Sequence, residues 1–401
     1  MILFEKELEK RANPEKSRNF DTKHWIENLY YLKKIYSRIQ SYFNCNPLKI
    51  GIIGTNGKGT TAYFLSQLFF SQENSVGLYT SPHLITYRER ISVNMQIFSE
   101  EALSKEYNLF LEFLNKEVPE YPKFFYNFSY FELLTIFTIF IFYKENLKIH
   151  IYEAGLGGRL DATKIVQAQI VILTYIRLDH TKILGGNYHK ILHEKLGILS
   201  KKTKKLFVLE NQFQNRIEKY TKEKQYKIDL YFFNNTKSSN YDYLEYLKSF
   251  AIFCYENINL KKSNLELLLY PKGRREIQFI ENQYYCFDIA HNPSGVYYFL
   301  LSLKEKFKDL NPNNTNIFLG ILKDRNYKHF FWLFRMTKLK NIFSKPLILN
   351  FPEFVHHNLE ENQIYTFSTK KDFKKFNQNK KYIIICGSSR LYEFYLKLIE
   401  N

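Results

Sequence analysis

Cysteine is scarce in this chain of 401 residues, and its four copies, Cys45, Cys254, Cys286 and Cys386, lie far apart. No C-x-x-C pair and no companion histidine spacing accompanies them, so the common zinc-site patterns are excluded. The spacing indicates separate buried thiols in a reducing compartment.

Long hydrophobic runs are also missing. The longest, Phe131–Tyr143, carries Glu132 near its start and falls short of the roughly 20 apolar residues that a bilayer requires. The N-terminal residues Met1–Lys6 become charged before the core of a signal peptide can form. We therefore expect a soluble cytoplasmic protein that has no membrane partner.

Acidic residues are outnumbered, which gives a formal net charge of +18. This charge suits acidic small substrates such as nucleotides, and it would also suit nucleic acid. The lysines are dispersed, however, and no aromatic-plus-basic motif of an RNA-binding module is present. We therefore expect small-molecule partners and no nucleic acid.

The most informative segment is a glycine-rich loop that follows the apolar run Leu48–Ile53. It contains three glycines, a lysine and two hydroxyls, in the order Gly54, Thr55, Asn56, Gly57, Lys58, Gly59, Thr60, Thr61. Glycines let the backbone aim N–H groups at an anion, and the following helix presents its positive end to the same anion. The loop therefore predicts an ATP phosphate site in which Lys58 meets the terminal phosphates and Thr60 or Thr61 holds magnesium.

This loop departs from the general G-x-x-x-x-G-K-[ST] pattern. Ile52 stands where a glycine is expected, and Gly59 separates Lys58 from the hydroxyls. A glycine-rich strand-to-helix turn with an exposed lysine is the alternative interpretation. The apolar run before the loop and the helical pattern after it favour the phosphate site.

Short apolar runs alternate with amphipathic stretches, which predicts parallel strands with helices on both faces of a sheet. The predicted strands are Leu48–Ile53, Val76–Tyr79, Lys148–Glu153, Ile170–Tyr175 and Lys205–Leu209 and, after a Lys/Asn/Glu-rich stretch at Lys261–Glu266, Tyr284–Asp288, Ile317–Leu319, Leu347–Asn350 and Tyr382–Cys386. With 45% apolar residues, the chain can bury the cores of two domains. We expect an α/β protein with an N-terminal P-loop ATPase domain over residues 1–269, built on a mostly parallel sheet, and a smaller Rossmann-like α/β domain over 270–401.

Two further polar segments follow predicted strands, where open α/β sheets place their ligands. Glu153–Thr163 contains three glycines, Arg159 and Asp161, and Leu178–Thr181 contains Asp179 and His180. The first could instead be a tight turn with a surface ion pair.

Carboxylates suit magnesium, and a histidine can complete a second metal position, so Glu132, Asp179 and His180 are candidate ligands or orienting groups. The alternative for Glu132 is a helix-start carboxylate, and the alternative for His180 is a core histidine.

Five ordered segments resemble the folylpolyglutamate synthase and dihydrofolate synthase family, whose members are related to the Mur ligases. The segments are Gly54–Thr60, Thr80–Leu84, Gly155–Thr163, Leu178–Thr181 and Asp288–Pro293. Together they span roughly residues 48 to 390, so the resemblance covers nearly the whole chain.

The resemblance implies a role for each matching residue. Lys58, His180 and Lys195 would be catalytic, with Lys195 carbamylated by carbon dioxide. ATP would be bound by Gly54, Thr55, Asn56, Gly57, Lys58, Gly59, Thr60, Thr61, Arg274, Asp288 and His291. Two Mg²⁺ ions would be held by Thr60, Ser81, Glu132, His180 and Lys195. The pterin substrate would be bound by Ser81, Pro82, His83, Arg88, Arg159, Asp161 and Ala162.

The sequence also departs from the family pattern. Lys164 stands in place of Asn, Arg177 in place of Gly, Ile289 in place of Gly, and Arg275 in place of an apolar residue. Because Arg274 and Arg275 are adjacent, the sequence leaves open which arginine would meet ATP.

The resemblance implies an ATP-dependent amide ligase that adds L-glutamate to dihydropteroate, to reduced folates or to both, through an acyl phosphate. We favour the interpretation that the enzyme is bifunctional. We also expect a monomer, as members of the family usually are. A Mur-type ligase for a UDP-linked substrate is one alternative, but the chain before Leu48 is too short for its extra domain. A nucleic-acid-stimulated P-loop ATPase is another, although it leaves Gly155–Thr163 and Asp288–Pro293 without a role. A purely structural protein explains none of the motifs.

Overall fold

The computed structural model describes residues 4–12, 22–234, 242–259, 268–322, 327–336, 339, 343, 346–349, 364–367 and 369–400. The chain divides into two compact units. Unit 1 comprises residues 1–235 and 247–269, and unit 2 comprises residues 236–246 and 270–401. The assignment of 1–269 to ATP binding and of 270–401 to glutamate ligation stays a prediction.

Unit 1 contains a sheet whose strands follow the order β4-β3-β2-β5-β1-β6-β7-β8. The strands are β1 (Leu48–Ile53), β2 (Val76–Tyr79), β3 (Ile91–Val93), β4 (Gln96–Ile97), β5 (Ile149–Glu153), β6 (Ile170–Leu173), β7 (Lys205–Val208) and β8 (Asp229–Phe232). All neighbours from β2 to β8 pair in parallel, whereas β3 and β4 form an antiparallel edge. Parallel strands end at the same edge of the sheet, so the loops after β2, β5, β1 and β6 lie side by side.

Helices cover this sheet and bury its central strands. They are α1 (Phe4–Glu9), α2 (Thr22–Phe43), α3 (Lys58–Phe70), α4 (Glu100–Glu117), α5 (Pro122–Phe125), α6 (Tyr130–Lys144), α7 (Thr181–Leu184), α8 (Tyr188–Leu196), α9 (Gln214–Glu223) and α10 (Tyr243–Asn259), within which the division between the units falls. Helix α6 is apolar on nearly all sides, which suits its position in the core, where it packs against α2, α4 and β2. The longest apolar run of the sequence is therefore a buried helix.

Unit 2 has its own sheet and its own apolar core. Its strands follow the order β13-β12-β11-β14-β10-β9, and only β9 pairs in antiparallel fashion. The strands are β9 (Glu276–Ile280), β10 (Gln283–Asp288), β11 (Thr315–Leu319), β12 (Leu347–Leu349), β13 (Ile364–Tyr365) and β14 (Tyr382–Cys386). The helices are α11 (Pro293–Lys306), α12 (Tyr327–Met336), α13 (Lys370–Phe376) and α14 (Tyr392–Ile399).

The predicted α/β class and the mostly parallel sheets are confirmed. Each predicted strand is present, although several begin or end one or two residues away from the predicted position. The Lys261–Glu266 stretch and Asn350 lie outside the described residues. None of the helices in the described ranges has the length and apolarity that a bilayer crossing requires.

Candidate active site

The glycine-rich loop joins β1 to α3, as the sequence predicts. Gly57 caps α3 with φ of 88° and ψ of −3°, a left-handed conformation that glycine adopts without strain. Helix α3 begins at Lys58, so the loop residues Gly54–Gly57 lie at its positive end. This geometry suits a bound phosphate.

A buried carboxylate lies beside this loop. Glu153 is the last residue of β5, which neighbours β1, and its side chain is almost fully buried. Its Oε1 lies 3.9 Å from Lys58 Nζ, and its Oε2 accepts the Ser81 N–H at 2.8 Å. A Cβ at Gly59 would come within 3.0 Å of the same Oε2. Glu153 therefore joins the P-loop to the loop that follows β2.

Sequence reasoning did not include Glu153 among the candidate ligands, although it opens the Glu153–Thr163 segment. A signal was present, because a carboxylate ends an otherwise apolar strand predicted to lie in the same sheet as the P-loop strand. The order of the strands in the sheet cannot be read from the sequence, and that order places β5 directly beside β1.

The two threonines at the start of α3 differ from the loop residues because their hydroxyls are buried. Within the described part of the chain, Thr60 Oγ1 and Thr61 Oγ1 have no hydrogen-bond partner. A buried hydroxyl without a partner costs free energy, so both hydroxyls are suited to accept a partner from a bound group. Lys58 Nζ donates to the Thr55 carbonyl at 3.4 Å, and Asn56 forms an isolated bridge with Tyr175.

Four of the predicted pterin-binding residues lie in one loop after β2. Ser81 contacts Glu153, as described, and a cis peptide bond joins it to Pro82. His83 Nδ1 accepts from Arg90 Nε at 2.9 Å. Arg88 Nη1 donates to the Phe98 carbonyl at 3.0 Å, so Arg88 is anchored to the residue that follows β4.

The other predicted pterin residues lie in the loop after β5. Asp161 is buried and accepts the N–H groups of Leu156 and Thr163, both at 2.9 Å, so its carboxylate shapes the loop. Burial raises the pKa of Asp161, and the hydrogen bonds from Thr163 and Leu156 oppose that rise. Ala162, also buried, begins the short 3-10 helix Ala162–Val166.

Lys195 lies on α8 and reaches the P-loop. Its Nζ is buried and donates to the Gly54 carbonyl at 2.6 Å. Burial lowers the pKa of Lys195 well below its ordinary value, and the positive charge of Lys58 lowers it further, while Asp161 opposes both. The loop after β5 holds α8 in place, because Arg159 N donates to the Glu194 carbonyl at 2.9 Å and the two side chains form an ion pair.

Asp179 and His180 follow β6, on the other side of β1. His180 is the N-cap residue of α7 and has a left-handed φ of 46°, and its N–H donates to Asp179 Oδ1 at 2.8 Å. The imidazole Nε2 lies 3.9 Å from the same oxygen. The structure thus places both residues at the edge of the sheet that carries the P-loop.

Glu132 occupies a different position from the other candidate ligands. It is the N3 residue of α6, and its Oε2 accepts the N–H and the hydroxyl of Ser129, both at 2.8 Å, and the amide of Asn28 at 2.9 Å. Burial raises the pKa of Glu132, and these hydrogen bonds oppose the rise. The contacts form a capping box, which favours the alternative interpretation of a helix-start carboxylate. Its role as a metal ligand stays a prediction.

The candidate residues of unit 2 gather around Asp288 at the end of β10. Its buried carboxylate accepts from Arg274 Nη1 at 3.2 Å, Arg275 N at 3.0 Å and Ala290 N at 2.7 Å. Burial raises the pKa of Asp288, and the Arg274 charge opposes that rise. His291 lies just beyond, with Nδ1 3.3 Å from the Ile289 carbonyl.

The two adjacent arginines of this unit have different partners. Arg274 contacts Asp288, whereas the Arg275 guanidinium forms an ion pair with Asp242 and lies 5.3 Å from the ring centroid of Tyr270. The structure therefore distinguishes the two arginines, because Arg274 pairs with Asp288 and Arg275 pairs with Asp242.

The fold and the loop define a class, the P-loop nucleotide-binding α/β proteins. No family model matches the chain. A dihydrofolate synthase/folylpolyglutamate synthase of Buchnera aphidicola subsp. Schizaphis graminum is 32% identical over 324 residues, which cover 75% of this chain and 74% of that protein. The Escherichia coli protein of the same description is 38% identical over 152 residues, which cover 38% of this chain and 34% of that protein. The chain belongs to the dihydrofolate synthase/folylpolyglutamate synthase family.

Solved structures share the fold. E. coli FolC in complex with ADP matches with a TM-score of 0.75 and 24% identity, covering 92% of this chain and 93% of that one. A bifunctional folylpolyglutamate synthase/dihydrofolate synthase with Mn, AMPPNP and L-glutamate bound matches with a TM-score of 0.73 and 23% identity, covering 92% and 94% of the two chains.

Proposed function

We propose that this protein is an ATP-dependent ligase that joins L-glutamate to dihydropteroate and to reduced folates. The observation that carries the proposal is the meeting of Lys58, Ser81 and Glu153 at the P-loop of a chain that belongs to this family. The nucleotide analogue, glutamate and manganese in a protein of the same fold support it. Residues 1–269 bind ATP, and residues 270–401 form the glutamate-ligase domain.

The P-loop binds the phosphates of ATP. The N–H groups at the start of α3 and the Lys58 ammonium attract the anion, and Thr55, Asn56 and Gly59 complete the loop. In unit 2, Arg274, Asp288 and His291 contact the nucleotide, with Arg274 supplying the positive charge that Asp288 orients.

The residues of the loop fit a divalent cation. The buried Thr60 hydroxyl lacks a partner in the described part of the chain and lies one residue from Gly59, where Glu153 approaches. Mg²⁺ uses few protein ligands together with substrate phosphates, so a loop hydroxyl and a neighbouring carboxylate suit it. Two ions would be held by Thr60, Ser81, Glu153, His180 and Lys195, with Glu132 as the alternative to Glu153. When bound, the cations neutralise phosphate charge.

Lys195 is suited to carbamylation. Carbon dioxide reacts with a neutral amine, and burial keeps the Lys195 amine neutral at a pH where an ordinary lysine is charged. The carbamate places an anion beside the Lys58 ammonium, so it adds an attraction and supplies an oxygen ligand for a metal.

The reaction has two steps. Two anions, the substrate carboxylate and ATP, first react to form an acyl phosphate, and the acyl group is then joined to the amine of glutamate. The substrate carboxylate oxygen attacks the γ-phosphorus of ATP, and ADP leaves. The glutamate amine then attacks the acyl carbon of the acyl phosphate, inorganic phosphate leaves, and the amine loses a proton. Lys58 offsets the charge of the first step, and the loops after β2 and β5, with Pro82, His83, Arg88, Arg159, Asp161 and Ala162, hold the pterin so that carboxylate and phosphate align.

The ligands are small molecules, namely ATP, L-glutamate, dihydropteroate and folates. We expect a cytoplasmic monomer that binds no nucleic acid.

Glutamate-dependent release of ADP tests the function. The purified protein receives Mg-ATP with dihydropteroate in one reaction and tetrahydrofolate in another. Release with both substrates supports the bifunctional enzyme, and release with one identifies the activity. Release with neither, while ATP is still bound, would contradict the proposal.

A further inference from the structure

The segment after β6 is joined to the P-loop through Thr55. The Thr55 N–H donates to the Tyr175 carbonyl at 2.7 Å. The Thr55 hydroxyl accepts the Arg177 N–H at 3.1 Å and donates to the Arg177 carbonyl at 3.2 Å. Residues 175–177 therefore fix the position of Thr55, which leads directly into the phosphate-binding part of the loop.

The same segment is held on its other side by an ion pair with Glu210, which lies two residues beyond the end of β7. Arg177 Nη1 donates to both carboxylate oxygens of Glu210, at 2.8 and 2.9 Å, and to the Ile176 carbonyl at 2.8 Å. Glu210 Oε2 also accepts the Ile176 N–H at 3.1 Å. The guanidinium carbon lies 4.7 Å from the ring centroid of Tyr175.

The setting of this pair makes it stronger than an ordinary surface salt bridge. The side chains of Arg177 and Glu210 are only 17% and 16% exposed, so solvent screens their attraction less. These charge-assisted hydrogen bonds add to the contacts that the segment makes with Thr55 and Asn56. Loss of either side chain would leave a partly buried charge and a looser segment.

We propose that the Arg177–Glu210 ion pair positions the P-loop for nucleotide. The pair holds residues 175–177, those residues hold Thr55, and Thr55 holds the start of the loop. A loop that occupies its binding conformation only part of the time binds with an affinity reduced by that fraction. Neither Arg177 nor Glu210 needs to touch ATP, and the inference rests on the ATP-binding function proposed above.

The test is a double-mutant cycle on nucleotide binding. We would measure the Kd for Mg-ADP by calorimetry, and KM for ATP and for glutamate, in wild type, Arg177→Met, Glu210→Gln and the double variant. Each single variant should weaken Mg-ADP binding and raise KM for ATP by about fivefold or more. The double variant should be no weaker than the worse single variant, and KM for glutamate should stay within about twofold of wild type.

Arg177→Lys refines the result because lysine keeps the charge but cannot reproduce the planar guanidinium. It should restore part of the affinity that Arg177→Met loses. If Arg177→Met does not fold, Glu210→Gln and Arg177→Lys still measure the same coupling.

A matched control is the ion pair between Lys144 and Glu106, which joins α6 to α4 in the same unit with Nζ 2.8 Å from Oε1. Lys144→Met should lower the melting temperature and leave the Kd for Mg-ADP unchanged. The inference is overturned if Arg177→Met behaves like this control. Wild-type protein that does not bind Mg-ADP at all would instead overturn the function itself, so the two failures are distinguishable.

Discussion

Strand β1 has a buried lysine near each of its ends. Lys49, the second residue of the strand, donates from Nζ to the Tyr36 hydroxyl at 3.2 Å, and Lys195 donates to the carbonyl of Gly54 just past the last residue. Burial lowers both pKa values, to about 8 for Lys49 and well below the ordinary value for Lys195.

The surroundings of the two lysines differ. The neighbours of Lys49 include the core side chains of Tyr36 and the buried His150, and the charge of Lys202 also lowers its pKa. Lys195 instead meets the backbone of a phosphate loop, close to Lys58. A depressed lysine pKa therefore does not mark a functional site by itself. What distinguishes Lys195 from Lys49 is its contact with the glycine-rich loop at the carboxyl end of β1.

The largest effect on turnover is expected for Lys58→Ala, which changes the loop at the carboxyl end of β1. It removes the charge that offsets the approach of carboxylate to phosphate, so turnover should fall by about 10³-fold or more. The melting temperature should stay near that of wild type, because the contacts of Lys58 with Thr55 and Glu153 are long, at 3.4 and 3.9 Å. Steady-state kinetics with a melting curve checks both. Near-normal turnover in a folded variant would remove Lys58 from the site.

A comparison of Glu153→Gln with Glu132→Gln separates the two buried carboxylates. Glu153→Gln should lower turnover by about 10²-fold and raise the Mg²⁺ concentration required, since the carboxylate lies beside Lys58 and Gly59.

Glu132→Gln should mainly lower stability, by about 1 kcal/mol, because its contacts form a helix cap. Magnesium titrations of activity and thermal melts distinguish the two outcomes. A Mg²⁺ requirement that moves only in Glu132→Gln would show that the predicted ligand, and not Glu153, holds the metal.

The carbamate expected at Lys195 provides the next test. Removal of carbon dioxide should lower activity about 10-fold, and bicarbonate should restore it. Labelled bicarbonate should add a carbamate carbon signal to the NMR spectrum of wild type but not of Lys195→Arg. A wild-type spectrum without that signal, in protein that remains fully active, would rule out the modification.

The smallest effect on activity is expected at the amino end of β1. Lys49→Met should leave turnover unchanged and stabilise the protein by about 1 kcal/mol at pH 7, because it removes a buried charge while the Tyr36 hydroxyl keeps Tyr143 as a partner. The pKa of Lys49 falls from 10.5 to about 8 on folding, so the wild type loses stability as pH falls from 10.5 through 8 and no more below that. Melting temperatures across that range should depend less on pH in Lys49→Met. An equally steep dependence in both proteins would contradict the assignment.

Much of the fold follows from the sequence, because buried parallel strands are continuous apolar runs. Leu48–Ile53, Val76–Tyr79 and Tyr382–Cys386 agree with the predicted bounds. The edge strands Gln96–Ile97 and Glu276–Ile280 were not predicted, since they are short or exposed and their apolar pattern is weak.

The site was predictable where one loop contains its own chemistry, as Gly54–Thr61 does. It was not predictable where distant residues meet. Lys195 contacts Gly54 across 141 residues, and Glu153 meets Lys58 only because β5 lies beside β1. Lys195 could be predicted from the family motifs, whereas the position of Glu153 beside Lys58 follows only from the strand order.

Oxygen transfer tests the central claim most directly. Dihydropteroate with an ¹⁸O-labelled carboxylate is incubated with Mg-ATP, glutamate and the enzyme, and the released phosphate is analysed by mass spectrometry. An acyl phosphate made at the P-loop transfers one carboxylate oxygen to each phosphate, and Lys58→Ala should release almost none. Unlabelled phosphate from an active enzyme would contradict the account.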